Sequence, residues 1–85
     1  MDLSIIIVNW NTNSLLQKCL ESIFKFTHNI RFKIIVIDNG SKDGSLEMLK
    51  STFPPVILIE NDKNVGFSKA VNQGIKVATG ENVLL

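Results

Sequence analysis

Two short β-branched runs constrain this chain most. Ser4-Ile5-Ile6-Ile7-Val8 leads into Asn9-Trp10-Asn11-Thr12, and Ile34-Ile35-Val36-Ile37 leads into Asp38-Asn39-Gly40-Ser41. Runs that stay apolar at successive positions predict strands buried on both faces, as in parallel sheets. If the two strands are parallel neighbours, their polar ends lie side by side at the carboxyl edge, where open α/β folds bind ligands. Asp38 is the obvious anionic anchor on that edge.

Between the runs the periodicity becomes helical. Strand Leu3 to Val8 is followed by Leu15, Leu16, Cys19, Leu20, Ile23 and Phe24, expected on one apolar stripe, with Gln17, Lys18, Glu21, Ser22 and Lys25 opposite. Asn11 or Thr12 is expected to cap this helix through a side-chain oxygen. Phe32 to Ile37 forms the second strand. The turn Ser41-Lys42-Asp43-Gly44-Ser45 opens a shorter helix around Leu46, Met48, Leu49 and Phe53, which Pro54-Pro55 ends. Val56 to Ile59 is a third strand. A third helix is expected to bury Phe67, Ala70, Val71, Ile75 and Ala78, with Gly74 allowing close approach to the sheet and Thr79-Gly80 closing it. Strand four opens at Asn82 or Val83. This β-α-β-α-β-α-β order predicts a three-layer α/β/α fold with a mainly parallel sheet and right-handed crossovers.

Composition narrows the function classes. With 85 residues there is room for one small domain. A formal net charge of +1 argues against binding nucleic acid or acidic membranes by charge alone. One cysteine rules out an internal disulfide and a cysteine-based zinc site. No apolar stretch approaches a membrane span, and the early Asp2 without a basic n-region does not fit a secretory leader, so the expected setting is cytoplasmic. Glu81-Asn82-Val83-Leu84-Leu85 reads as the opening of a strand, so the expectation is the front part of a longer protein.

Several residues can carry chemistry. Asp38 can accept hydrogen bonds from a base or ribose, or equally from its own turn at Asn39-Gly40-Ser41. Trp10 can cover a nucleobase face or pack over the first helix. Val8 and Asn9 would present backbone groups to the same crevice. Asn64-Val65-Gly66-Phe67 places a glycine at a helix start, but it is not a phosphate fingerprint. Asn72 can reach the crevice or face water. Cys19 fits inert core, His28 has no assigned role, and Lys63 and Lys69 fit solvated surface. No Ser-His-Asp or metal-ligand grouping is present. The first strand-helix turn has no glycine, which disfavours a dinucleotide oxidoreductase. Asn9 and Asn11 are not acids, which disfavours a receiver-like domain.

The ordered set of motifs resembles the start of the family 2 glycosyltransferases with the GT-A fold. It comprises Ser4 to Asn11, Cys19-Leu20-Glu21-Ser22-Ile23, Ile35 to Ser45, Asn64 to Phe67, Ala70 to Ile75, and Ala78-Thr79-Gly80-Glu81. The resemblance implies the Rossmann-like N-terminal half of that fold, residues 1–85 being the nucleotide-sugar-binding part, cut in the fourth strand. It implies Val8, Asn9 and Trp10 around the nucleoside of a nucleoside-diphosphate sugar and Asp38 on the base, with Asn39, Asn64, Gly66 and Asn72 facing the ligand. A carboxylate accepts the N3–H of uracil or thymine, so UDP- or dTDP-linked donors are expected. The Asp38-Asn39 pair with Gly66-Phe67 resembles the rhamnosyltransferase-like branch. A divalent cation, Mg²⁺ or Mn²⁺, a later D-x-D motif and a general base are implied for the parent protein, outside these residues, as is a glycan or lipid-linked glycan acceptor, a setting that includes the inner face of the membrane. The competing expectation is a non-enzymatic α/β module that binds a nucleotide or a protein.

Overall fold

The computed structural model describes residues 2–27, 30–78 and 82–84. The elements follow in the order β1 (Asp2–Asn9), α1 (Asn13–Phe26), β2 (Arg31–Asn39), α2 (Ser45–Thr52), β3 (Ile57–Asn61), α3 (Phe67–Val77) and β4 (Asn82–Leu84). The four strands form one sheet ordered β3-β2-β1-β4, and every pairing is parallel. Starting from β1 the chain winds outward through β2 and β3, then α3 carries it back to the far side of β1. The topological switch point therefore lies between β1 and β4, which in doubly wound sheets is where the ligand crevice opens.

The unbroken apolar runs are explained by two cores. Ile5, Ile34 and Val36 pack with Leu16 and Leu20 of α1 and with Leu49 and Phe53 at α2. Ile6, Ile35 and Ile37 point the other way and pack with Ala70 of α3. Each fully buried aliphatic side chain contributes about 1.5–3 kcal/mol, so β1 and β2 are tied to both helical layers. As an edge strand, β3 is only partly covered. Helix α2 stops at Thr52, and Phe53, directly before Pro54, has already left helical geometry.

Helix α3 departs from the expected burial. Its contact with the sheet runs through Ala70, Val71 and Gly74, whereas Phe67 is 67% and Ile75 47% exposed. The reason is the closeness of the seat. A Cβ on Gly74 would lie 2.6 Å from Ile6 Cγ2 and 2.9 Å from Ile37 Cδ1, so the small residues face the sheet and turn the large ones aside. Helix α1 is corrected in the same way. Leu16 and Leu20 are buried, but Leu15 is 69% exposed and Cys19 is exposed rather than core. The helix carries two apolar stripes, and only one meets the sheet. The expected closure of α3 by Thr79-Gly80 lies outside the described residues, as does His28. The helix ends at Val77, with Ala78 already extended.

Candidate functional site at the carboxyl edge

The sheet register sets the site. Asn9 is level with Asp38, Asp38 with Glu60, and Asn39 with Asn61. Because side chains alternate along a strand, Asp38 continues the Ile34-Val36 row toward α1 and α2, while Asn39 continues the Ile35-Ile37 row toward α3. The two adjacent polar residues thus build separate networks on opposite faces.

On the α1/α2 face, Asp38 is 0% exposed. Its Oδ1 accepts from Asn9 Nδ2 at 2.9 Å and its Oδ2 from the Ser41 backbone N–H at 2.8 Å. The turn role open to Asp38 is therefore filled. Asn9, equally buried, also donates to Ser41 Oγ at 3.2 Å and accepts from Thr12 Oγ1 at 2.6 Å. Two loops are laced together above this pair. Asn11 N–H donates to Ser41 Oγ at 2.9 Å, and Lys42 N–H donates to Asn11 Oδ1 at 2.8 Å. Asn11 adopts the left-handed backbone, φ 52°, that brings it there.

The cap expected from Asn11 or Thr12 is supplied from elsewhere. Thr12 makes no capping bond with its side chain, which is spent on Asn9. Asp43 Oδ2 accepts the Asn13 N–H at 2.9 Å, while its Oδ1 accepts the Ser45 N–H at 3.1 Å and the Ser45 hydroxyl at 2.5 Å. One carboxylate thus serves the first residues of both α1 and α2. The Ser45 hydroxyl and then the Asn13 N–H hold the Asp43 carboxyl below the ordinary carboxylate range.

On the α3 face the network is built from amides. Asn39 Nδ2 donates to Asn64 Oδ1 at 3.3 Å and to the Gly66 carbonyl at 3.4 Å, and Asn39 Oδ1 accepts from Asn61 Nδ2 at 2.9 Å. Asn61 and Gln73 form a reciprocal pair, 2.8 Å and 3.0 Å. Asn64 Oδ1 also accepts the Gly66 N–H at 2.8 Å, so that N–H is already engaged at the start of α3. Gly40 seats the β2 tip against the β3–α3 loop: its φ is 78°, and a Cβ there would lie 2.9 Å from Lys63 Cα.

Among the residues singled out from sequence, Asn9 and Asp38 are joined by bonds on one face of the edge, and Asn39, Asn64 and Gly66 on the other. Val8, just below the tip, packs against the α3-side core. Trp10 directly follows the β1 tip and is 53% exposed. Asn72 faces solvent outside the amide network. Sequence reasoning missed Asn61 as the partner of Asn39 and Gln73 as the partner of Asn61, and did not see Asp43 as a double cap. A polar Gln next to buried Gly74 was the available signal for Gln73. Among the described residues no group of three or more His, Cys, Asp or Glu side chains could hold a metal ion. No helix among them is long and apolar enough to cross a membrane.

Comparison with known proteins completes the picture. Residues 4–85 match the family described as Glycosyl transferase family 2. The chain is 39% identical over 84 residues to the uncharacterized glycosyltransferase YibD of Escherichia coli, covering 95% of this chain and 24% of that protein. It is 36% identical over 89 residues to a poly(ribitol-phosphate) beta-glucosyltransferase of Bacillus spizizenii, covering 99% of this chain and 14% of that protein. The solved mannosyltransferase PcManGT from Pyrobaculum calidifontis, in complex with GDP-Man and Mn2+, superposes with a TM-score of 0.81 at 25% identity, over 95% of this chain and 25% of that one. The chain therefore spans about a quarter or less of the length of these three proteins.

Proposed function

We propose that this chain, which belongs to glycosyl transferase family 2, is the donor-nucleotide-binding part of an enzyme that transfers a sugar from a nucleoside diphosphate to an acceptor hydroxyl. The observation that carries the reading is the placement of Trp10. An exposed indole stands at the tip of β1, beside the β1/β4 switch point, on backbone anchored at Asn9 and Asn11. That is an aromatic surface on which a nucleoside can stack. Val8 and Asn9 offer backbone beside it, Asn39, Asn64 and Gly66 continue the rim, and Asn72 lies farther along α3.

Asp38 is the buried carboxylate of this rim. Both of its oxygens are engaged, by Asn9 and by Ser41, so its contact with a base would displace or share with one of these partners. A carboxylate there favours bases that present a ring N–H: N3–H of uracil or thymine, and N1–H of guanine with its adjacent amino group. The mannosyltransferase neighbour, bound to GDP-Man, supports including guanine. The Asp38-Asn39 pair with Gly66-Phe67 supports a rhamnosyltransferase-like branch.

In the displacement at the anomeric carbon, a carboxylate base takes the acceptor proton and a divalent cation offsets the charge of the departing diphosphate. The described residues bring together no metal-ligating set, so no step through a metal is assigned to them. Their part is to bind and orient the nucleoside.

Titration of the chain with UDP, dTDP and GDP, with ADP as control, tests this reading by calorimetry. Binding of at least one of the first three in preference to ADP is expected. Trp10→Ala should then weaken it by about 1–3 kcal/mol, the range for losing a stacked base, with the fold unchanged. Asp38→Ala should weaken it by about 1–3 kcal/mol, the range for losing a charged acceptor. Absence of binding by all three nucleotides would return the chain to the non-enzymatic, protein-binding reading.

A further inference from the structure

Trp10 is the only tryptophan in the chain, and its backbone is held from both sides by a loop of distant sequence. Asn9, before it, is bonded to Asp38 and Ser41. Asn11, after it, is bonded to Ser41 and Lys42. The Asn11 bonds join the β1–α1 connection to the β2–α2 connection, and the Asn9 side chain ties the β1 tip to Asp38 of β2 and to Ser41. The outermost tie between the same two segments is Asp43, whose two oxygens take the Asn13 N–H of α1 and the Ser45 N–H and hydroxyl of α2. The Asp43 carbonyl also accepts from Asn13 Nδ2 at 3.4 Å.

A residue that caps a single helix stabilises that helix alone. Asp43 caps two helices at once, so it fixes their starts relative to each other. The segment between β1 and α1, which carries Trp10, is therefore clamped at its far end to α2. Thr12, the residue in the cap position of α1, contributes no side-chain bond to the helix, so Asp43 is the side chain that bonds the first N–H of α1. The preorganisation of a binding surface sets how much ordering must occur when a ligand arrives.

We propose that Asp43 is a positioning residue for the nucleoside platform: by tying the starts of α1 and α2 together it restricts the motion of Trp10 and so raises affinity for the stacked base without touching the ligand. The inference rests on the reading that a nucleoside stacks on Trp10.

The experiment compares the parent chain with Asp43→Ala and the near-isosteric Asp43→Asn. Trp10 emission anisotropy and acrylamide quenching are measured without ligand, and UDP and GDP affinity by calorimetry. Asn retains one side-chain acceptor oxygen, which can serve one helix start but not both. The expected result is graded. Anisotropy falls and quenching rises from parent to Asn to Ala, while affinity for the nucleotide the parent binds drops about three- to ten-fold in the Ala variant, a factor within the range of one lost ordinary hydrogen bond. Should the Ala variant fail to fold by circular dichroism, the Asn variant decides the outcome alone. Unchanged anisotropy and quenching in a folded variant would overturn the proposal. Lost affinity with unchanged Trp10 motion would overturn it as well, by placing Asp43 in contact with the ligand. If the parent binds neither nucleotide, the stacking reading fails and the proposal falls with it. That outcome is separate from the ligand-free measurement of Trp10 motion.

Discussion

The two sides of the sheet's carboxyl edge meet at adjacent residues yet are built from different chemistry. On the α1/α2 side, Asp38 and Asp43 present charged acceptors to backbone N–H groups of Ser41, Asn13 and Ser45. On the α3 side, Asn39, Asn61, Asn64 and Gln73 satisfy one another as neutral amides, together with the backbone of Gly66. The first side locks main chain through carboxylate oxygens. The second joins neutral side-chain amides to one another and to the Gly66 backbone. The alternation of β2 divides the two, sending Asp38 one way and Asn39 the other.

The sharpest way to break this arrangement is at Gly40, which holds the tip between the two sides. Gly40→Ala should cost about 1–3 kcal/mol for the left-handed backbone alone, and the contact of the new Cβ with Lys63 backbone adds to it. Urea unfolding followed by Trp10 emission measures the loss. A change below about 0.5 kcal/mol would show that the turn relaxes freely, since that is the scatter of neutral surface substitutions.

A smaller effect isolates the amide side. Gln73→Ala should cost about 1 kcal/mol, because it leaves the Asn61 amide without its reciprocal partner. Its neighbour Asn72 is exposed, so Asn72→Ala should stay within about 0.5 kcal/mol. Equal effects at the two positions would dissolve the distinction between the network and the outer face of α3.

The smallest effect separates the two sides by pH. The Asp43 carboxyl is depressed in the folded chain, first by the Ser45 hydroxyl and then by the Asn13 N–H. A depressed carboxylate stabilises the folded state fully above its unfolded pKa, about 3.9. That contribution is lost as pH falls through the lower folded value. Asp43 is exposed, so solvent screening keeps it modest. In acid titration of the parent against Asp43→Asn, the difference in stability should narrow below about pH 4. Gln73→Ala should show no such dependence.

Much of this edge is legible in the sequence. An unbroken apolar run followed by a polar cluster identifies a central parallel strand and its tip, and it does so twice. Helical burial is less legible. Phe67 and Ile75 outrank Ala70 and Gly74 in apolarity, yet the close seat of α3 admits only the smaller pair. The cap of α1 is also hidden from a local reading. Its acceptor lies 30 residues downstream, beyond the first-turn window in which caps are sought. The rule that a nearby Asn or Thr takes the orphan N–H holds only when that side chain is not needed elsewhere, and Thr12 is needed by Asn9.

The seat of α3 also fixes an order of assembly. Gly74 rests against Ile6 of β1 and Ile37 of β2 together, so its docking surface does not exist until those two strands have paired. The β1-α1-β2 unit closes a short stretch of chain and has the longest register in the sheet, whereas β4 must come back from beyond β3 to reach β1. Contacts between distant parts of the chain form late because loop closure must precede them. On that principle the first two strands are expected to act as the template, and the third helix as the clasp that shuts on the finished pair.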